Sequence, residues 1–220
     1  MNVLVLAPHP DDEVLGVGGT IARLAREGHA VDVAIVTRGD ELFDMSLIET
    51  GRAEARRAHA ILGVRKTHFL DGFPAAKLDT VPHHRLNGRL RDLVSEVRPE
   101  CVYIPFAGDV HRDHQEVARA AMVACRPTVG CNVRQIFAYE TLSETNWNAP
   151  GISPAFVPNV YSEIADTIET KLEAMTAFQS QVRPFPHERS IEAIEHLARY
   201  RGATVSVAAA ESFMLLRWVR

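Results

Sequence analysis

A Rossmann-like α/β fold, with a mostly parallel sheet, helices on both faces and an α/β elaboration at its C-terminal end, is predicted by three features of this 220-residue sequence. Short β-branched or aromatic runs alternate with helix-period stretches over the first 140 residues. Gly28 and Gly63 stand where two of those helices would end, each followed closely by a strand. The longest irregular stretch begins only where the alternation stops.

VLVLAP (3–8) opens the chain as a strand, and residues 14–27 follow with apolar positions every three or four residues. VDVAIVT (31–37), THFLDG (67–72), CVYIPF (101–106) and RQIFAYE (134–140) read as further strands, with helices over 46–62, 84–98 and 113–125 between them. Repeated strand, helix, strand units build a parallel sheet. TLSETNWNAPGISPAFVPN (141–159) is a Pro-, Asn-, Ser- and Thr-rich loop of the kind that forms lids. YSEIA (161–165) then reads as a strand, with helices near 166–179 and 188–200. The apolar SFMLLRWV (212–219) is either a last core strand or an interface. No repeat or linker divides the chain, so 1–220 is one domain: a parallel core over 1–140, with a long loop and elaboration over 141–220.

A hydrophobic content of 46% supports a compact core. The net charge is −4 and the basic residues are dispersed, which argues against nucleic acid as a partner. No apolar stretch approaches the roughly 20 residues needed to span a bilayer, and no leader pattern precedes the first strand. A cytoplasmic protein without a membrane partner is the expectation. Cys101, Cys125 and Cys131 are odd in number and lack CxxC spacing, so reduced thiols are expected rather than a disulfide framework or thiolate metal site.

The first strand runs straight into an acidic turn, LVLAPHPDDEVLG (4–16). In open α/β sheets ligands gather beyond the carboxyl ends of the strands, which is where His9, Asp11 and Asp12 fall. The following GVGGT (16–20) is not a dinucleotide loop: G-x-G-x-x-G from Gly16 needs glycine where Ile21 stands, and the carboxylates would repel a pyrophosphate. Its glycines instead suit close packing of helix and sheet. One acid at a helix start would be an ordinary cap, but Asp11, Asp12 and Glu13 together call for a neutralising cation. A nitrogen beside hard oxygens suits a divalent metal.

FAGDVHRDH (106–114) places Asp109, His111, Asp113 and His114 after another strand on the same sheet edge. One of these histidines, with His9 and one aspartate, gives three ligands and an open position, as in catalytic zinc sites. Asp113 has a competing use as a helix cap.

APHPDDEVLGVGGTIARLAREGHAV (7–31), VTRGD (36–40), GRAEARRAHAILGV (51–64) and HRDH (111–114) resemble, in order, the LmbE-like or PIG-L superfamily of zinc-dependent de-N-acetylases. AFQSQ (177–181) and AESF (210–213) resemble later segments of that family. The resemblance implies Zn²⁺, or another divalent metal, on His9, Asp12 and His114. It implies Asp11 as general base, with His111, oriented by Asp113, stabilising the oxyanion or protonating the leaving amine. The implied reaction is hydrolysis of the acetamide of an N-acetylated amino sugar or its conjugate. Amidase action on a thiol conjugate or other small amide is an alternative, and a non-catalytic sugar-binding module another. Relatives form trimers or hexamers, so a homo-oligomer is expected.

Arg38, Arg52 and Asp109 are expected to line the substrate pocket, the arginines gripping hydroxyls or a phosphate. Trp147 is a sugar-stacking candidate. Glu13 is expected behind the ligands or as a helix-capping group, and Arg56 on a solvated helix face. His29, His59, His68, His83, His84 and His196 read as surface or boundary residues, and His187 as a residue of the Pro-rich loop 182–190, a second lid candidate.

Overall fold

The computed structural model describes residues 1–40, 44–149 and 151–220; Pro150, within the long predicted loop, lies outside the described residues. The elements are β1 (Asn2–Ala7), α1 (Asp12–Arg26), β2 (Ala30–Ile35), α2 (Met45–Leu62), β3 (Lys66–Phe69), α3 (His83–Val97), β4 (Cys101–Pro105) and α4 (Arg112–Ala124). They continue with β5 (Gln135–Tyr139), β6 (Val160–Glu163), α5 (Ile168–Thr176), α6 (Ile191–Ala203) and β7 (Ala210–Trp218).

The seven strands form one sheet in the order β3-β2-β1-β4-β5-β7-β6. The first five are parallel, and β7 runs antiparallel to both β5 and β6. SFMLLRWV is therefore a strand inside the sheet. Strand order reverses between β1 and β4, which opens a crevice at their carboxyl ends.

Alternation along β1 sets the two layers: Val3, Val5 and Ala7 join the core under α1, α2 and α5, while Leu4 and Leu6 join the core under α3 and α4. Gly28 ends the turn after α1 at φ +82°, and Gly63 caps α2 at φ +77°. In GVGGT the glycines do serve packing. A Cβ on Gly16 would lie 2.3 Å from Tyr139 Cδ2, and one on Gly19 would lie 2.7 Å from Ile164 Cδ1.

A buried ion pair fixes α1 to the C-terminal elements. Lys171 Nζ on α5 donates to Glu211 Oε1 on β7 at 2.6 Å and to the Leu15 carbonyl at 2.8 Å, and Glu211 accepts the amides of Gly19 and Thr20. Two histidines expected at the surface or its boundary are in fact buried, because each has a carboxylate to satisfy it. His68 meets Asp32, which also holds Arg65, and His59 meets Glu13. Arg56 is exposed, its guanidinium stacked on the Phe69 ring. No described helix is long and apolar enough to cross a membrane.

Candidate metal and catalytic site

The β1–α1 turn and the β4–α4 loop meet at the crevice between β1 and β4. Ligand atoms of His9, Asp12 and His114 lie within 4.8 Å of one another. Asp12 Oδ2 is 3.3 Å from His9 Nδ1 and 3.2 Å from His114 Nε2, and it accepts the His9 main-chain amide at 2.9 Å. Both imidazoles are backed by a carboxylate: His9 Nε2 pairs with Asp113 Oδ2 at 2.9 Å, and His114 Nδ1 with Asp109 Oδ2 at 2.8 Å. Fixing one ring nitrogen in this way leaves the other to face a cation, the arrangement common around metal-binding histidines. His114 Nε2 is buried and has no hydrogen-bond partner.

Burial disfavours the charged ring of His114, but Asp12 and Asp109 outweigh it and raise the group to about 10. Burial likewise opposes charge on His9, and its bonds to Asp113 and Asp12 bring it to about 9. Asp12 is buried, yet the two imidazoles hold its carboxyl well below the ordinary range. Such a set is one in which protons occupy places a cation would take.

Asp11 differs from its neighbours. It is the N-cap residue of α1 with φ 108° and ψ −27°, a left-handed conformation that costs a non-glycine residue about 1–3 kcal/mol. Its carbonyl accepts from Val14 and Leu15, but its side chain makes no capping bond. The carboxylate instead points into the cleft, where Arg189 Nη1 meets Oδ2 at 3.1 Å. Burial, opposed by Arg189 and helped by Asp12 and Glu13, pushes this carboxyl up to about 8. A buried chain holds the strained backbone: Glu13 Oε2 accepts the Asp11 amide, Glu13 Oε1 meets His59 Nε2, and His59 Nδ1 meets Thr67 Oγ1.

His111 is the N-cap of α4, and its Nδ1 accepts the Asp113 main-chain amide at 3.1 Å. An N–H can only donate, so the ring proton of neutral His111 resides on Nε2. Burial, with His9 adding, pulls this imidazole down to about 4 and keeps it neutral. The Asp113 carboxylate does not orient His111 as expected. It accepts the amides of Ala76 and Leu78 and faces His9, because the start of α4 carries the side chain towards the 76–78 turn. Nor does that carboxylate cap α4.

The cleft over these residues has a volume of about 560 Å³. His9, Asp11, His111, Arg38, Arg52 and Glu144 are among its lining. A larger groove of about 850 Å³, between α3, α4 and residues 126–132, holds none of the clustered residues. Asp109 does not line the cleft: it is fully buried, held by His114 and by the Thr145 hydroxyl. Trp147 is also outside it, 64% exposed, with its indole N–H shared between the oxygens of Glu188. That contact ties the 141–159 loop to the 182–190 loop. His187 is exposed, and its loop sends Arg183 and Arg189 to the cleft, neither of which the sequence reading singled out; Arg189 is the one that reaches Asp11. Glu144 was also missed. It lines the cleft 3.8 Å from Arg189, and burial, opposed first by His114, raises it to about 7. The Pro-rich run before Arg189 was the available signal; Glu144 carried none.

These features place the chain among α/β proteins with a metal-compatible polar site at the switch point of a parallel sheet. It belongs to the GlcNAc-PI de-N-acetylase (PIG-L) family, whose pattern matches residues 4–125. It is 33% identical over 188 residues to YaiS, an uncharacterized deacetylase of Escherichia coli (strain K12), covering 81% of this chain and 91% of that one. It is 29% identical over 199 residues to the diacetylchitobiose deacetylase of Thermococcus kodakarensis, covering 85% and 71% respectively. Among solved structures, the conserved protein TT1542 from Thermus thermophilus superposes with a TM-score of 0.79 at 29% identity, covering 100% of this chain and 96% of that one. The relatives are deacetylases, which supports an enzyme that hydrolyses N-acetyl groups.

Proposed function

We propose that this protein is a metal-dependent deacetylase that hydrolyses the acetamide of an N-acetylated amino sugar or its conjugate, releasing acetate and a free amine. The observation that carries the reading is the pair of carboxylate-backed imidazoles around Asp12, with buried His114 Nε2 turned to Asp12 Oδ2 at 3.2 Å without a well-formed hydrogen bond. Two nitrogens and one oxygen suit zinc with a position left open for reactants. His9, presenting Nδ1, Asp12 and His114, presenting Nε2, would hold the ion. An ion bound there supplies a water acidified towards pKa ~7 and a polarised acetamide carbonyl.

The chain's own groups do the rest. Asp11 takes the proton from the attacking water and hands it to the leaving nitrogen. Its strained backbone keeps the carboxylate out of the helix cap and in the cleft, and Arg189 orients it. His111 offers its Nε2 proton to the carbonyl oxygen as negative charge builds there. Water adds to the carbonyl carbon, the C–N bond breaks, and acetate and the protonated amine leave.

Amine release from a panel of N-acetylated sugars, measured after chelation and again after zinc is restored, tests this reading. Release that depends on zinc and falls at least about 100-fold in Asp11→Asn, with zinc still bound, is the expected result. Full turnover by Asp11→Asn would remove the base assignment. No release from any acetamide, with zinc bound, would remove the deacetylase reading.

A further inference from the structure

Among the described residues, the cleft is lined by four arginines, Arg38, Arg52, Arg183 and Arg189, and by two carboxylates, Asp11 and Glu144. Arg189 is committed to both of those acids. The other three guanidiniums have no carboxylate partner among the lining residues. Arg52 Nη2 bonds Asp71, and Arg38 stands 3.7 Å from both Asp71 and Glu49. Those two acids are 60% and 58% exposed, so water screens their hold on the arginines. Among the described residues, Arg183 donates to the carbonyls of Ser180 and Val182.

Arg38 has a further property. Among the described residues its buried Nε has no hydrogen-bond partner, a state that costs about 1–3 kcal/mol until an acceptor arrives. Its main chain is clamped: its amide donates to Phe73, its carbonyl accepts from Ala75, and it forms a β-bridge with Pro74. The side chain thereby departs from a fixed point of the main chain at the cleft wall. A planar fork of N–H donors matches the paired oxygens of a carboxylate or phosphate, and a neutral hydroxyl would leave most of that fork unused.

We propose that the sugar this cleft takes carries an anionic group, a carboxylate or phosphate, remote from the acetamide, and that Arg38, Arg52 and Arg183 receive it. The inference rests on the deacetylase reading for the sugar and on the arginine wall for the charge. The volume of about 560 Å³ lies within the range of about 300–1,000 Å³ typical of small-molecule sites.

The test measures binding of three amino sugars to the zinc-supplied protein: glucosamine, glucosamine 6-phosphate and muramic acid. None has an acetamide, so none is turned over, and all share the same amine; they differ in bearing no anion, a phosphate or a carboxylate. At least one anionic sugar is expected to bind tenfold or more tightly than glucosamine at low salt, with the advantage shrinking as salt rises. Arg38→Gln should bring that ratio down to within about threefold, and Arg38→Lys, which keeps charge without the fork, should fall between. Thermal denaturation verifies that both variants are folded. Affinity equal for all three sugars, no binding of any, or a preference that survives Arg38→Gln in combination with Arg183→Gln overturns the proposal. Tight anion-dependent binding by a protein that hydrolyses no acetylated sugar would instead overturn the deacetylase reading alone.

Discussion

Removing the carboxylate behind His114 should weaken the metal site without touching a ligand. Asp109 Oδ2 holds His114 Nδ1 at 2.8 Å, and Asp109 Oδ1 accepts the Thr145 hydroxyl at 2.6 Å. In Asp109→Asn the amide oxygen can still accept from Nδ1, and its NH₂ can donate to a rotated Thr145 hydroxyl, so only the charge is lost. In Asp109→Ala, both the ring N–H and the hydroxyl lose their partner in a fully buried place. Loss of such a supporting partner lowers metal affinity about 10–100-fold. Asparagine should sit near the tenfold end, about 1.4 kcal/mol, and alanine near the hundredfold end, about 2.8 kcal/mol. Alanine should also destabilise the metal-free fold by about 1–3 kcal/mol through its two orphaned donors. Zinc affinity by competition with a chromophoric chelator, alongside urea denaturation of the metal-free protein, measures both effects. If both variants are folded and bind zinc within about twofold of the parent, His114 does not owe its ligating posture to Asp109 and the reasoning is wrong.

Other expectations follow from the same contacts. Lys171→Met leaves Glu211 buried without its cation and should cost about 3–5 kcal/mol, whereas adding Glu211→Gln should recover part of it; equal urea midpoints for parent and single variant would contradict this. Gly16→Ala forces a methyl against the Tyr139 ring and should lower stability by about 1–3 kcal/mol, read as a lower melting temperature. His59→Leu removes the partner of Glu13 and so loosens the Asp11 backbone; turnover should fall more than zinc affinity, and an equal fall in both would assign His59 to the metal site instead. Zinc should bind more tightly at pH 8 than at pH 6, because His9 and His114, raised to about 9 and about 10 when metal-free, must give up protons that the loaded form does not carry. Calorimetry in buffers of different ionisation enthalpy would reveal the released protons, and a pH-independent affinity would refute the linkage.

The alternating core and the two polar turns were legible because each is written in short-range pattern: VLVLAP followed by HPDD, and CVYIPF followed by HRDH, place their acids and imidazoles at strand ends whatever follows. The partners of those groups were not legible, since they are chosen by the folded surface. Asp113 was expected to orient His111, yet its carboxylate reaches His9 across 104 residues, and Asp109, expected in the pocket lining, backs His114. His59 sits on a helix where nothing local marks it as buried; only Glu13, 46 residues earlier, does so. Arg189 reaches Asp11 across 178 residues from a loop whose histidine drew attention first. Trp147 shows the opposite error, since an aromatic ring in a long loop suggests stacking until its Glu188 contact is seen.

The placement of β7 has a kinetic consequence. Because this strand lies between β5 and β6, neither can pair across that gap until residues 210–218 have been synthesised. Glu211 arrives with it and reaches back 192 residues to the Gly19 amide on the helix that begins at Asp12. α1 is thus held by a contact that forms only once β7 is in place, and contacts of such long sequence separation slow folding. Until β7 docks, the nascent chain presents open strand edges and a loosely held α1, a window in which chaperone binding or early metal capture would decide how much of it reaches the native sheet.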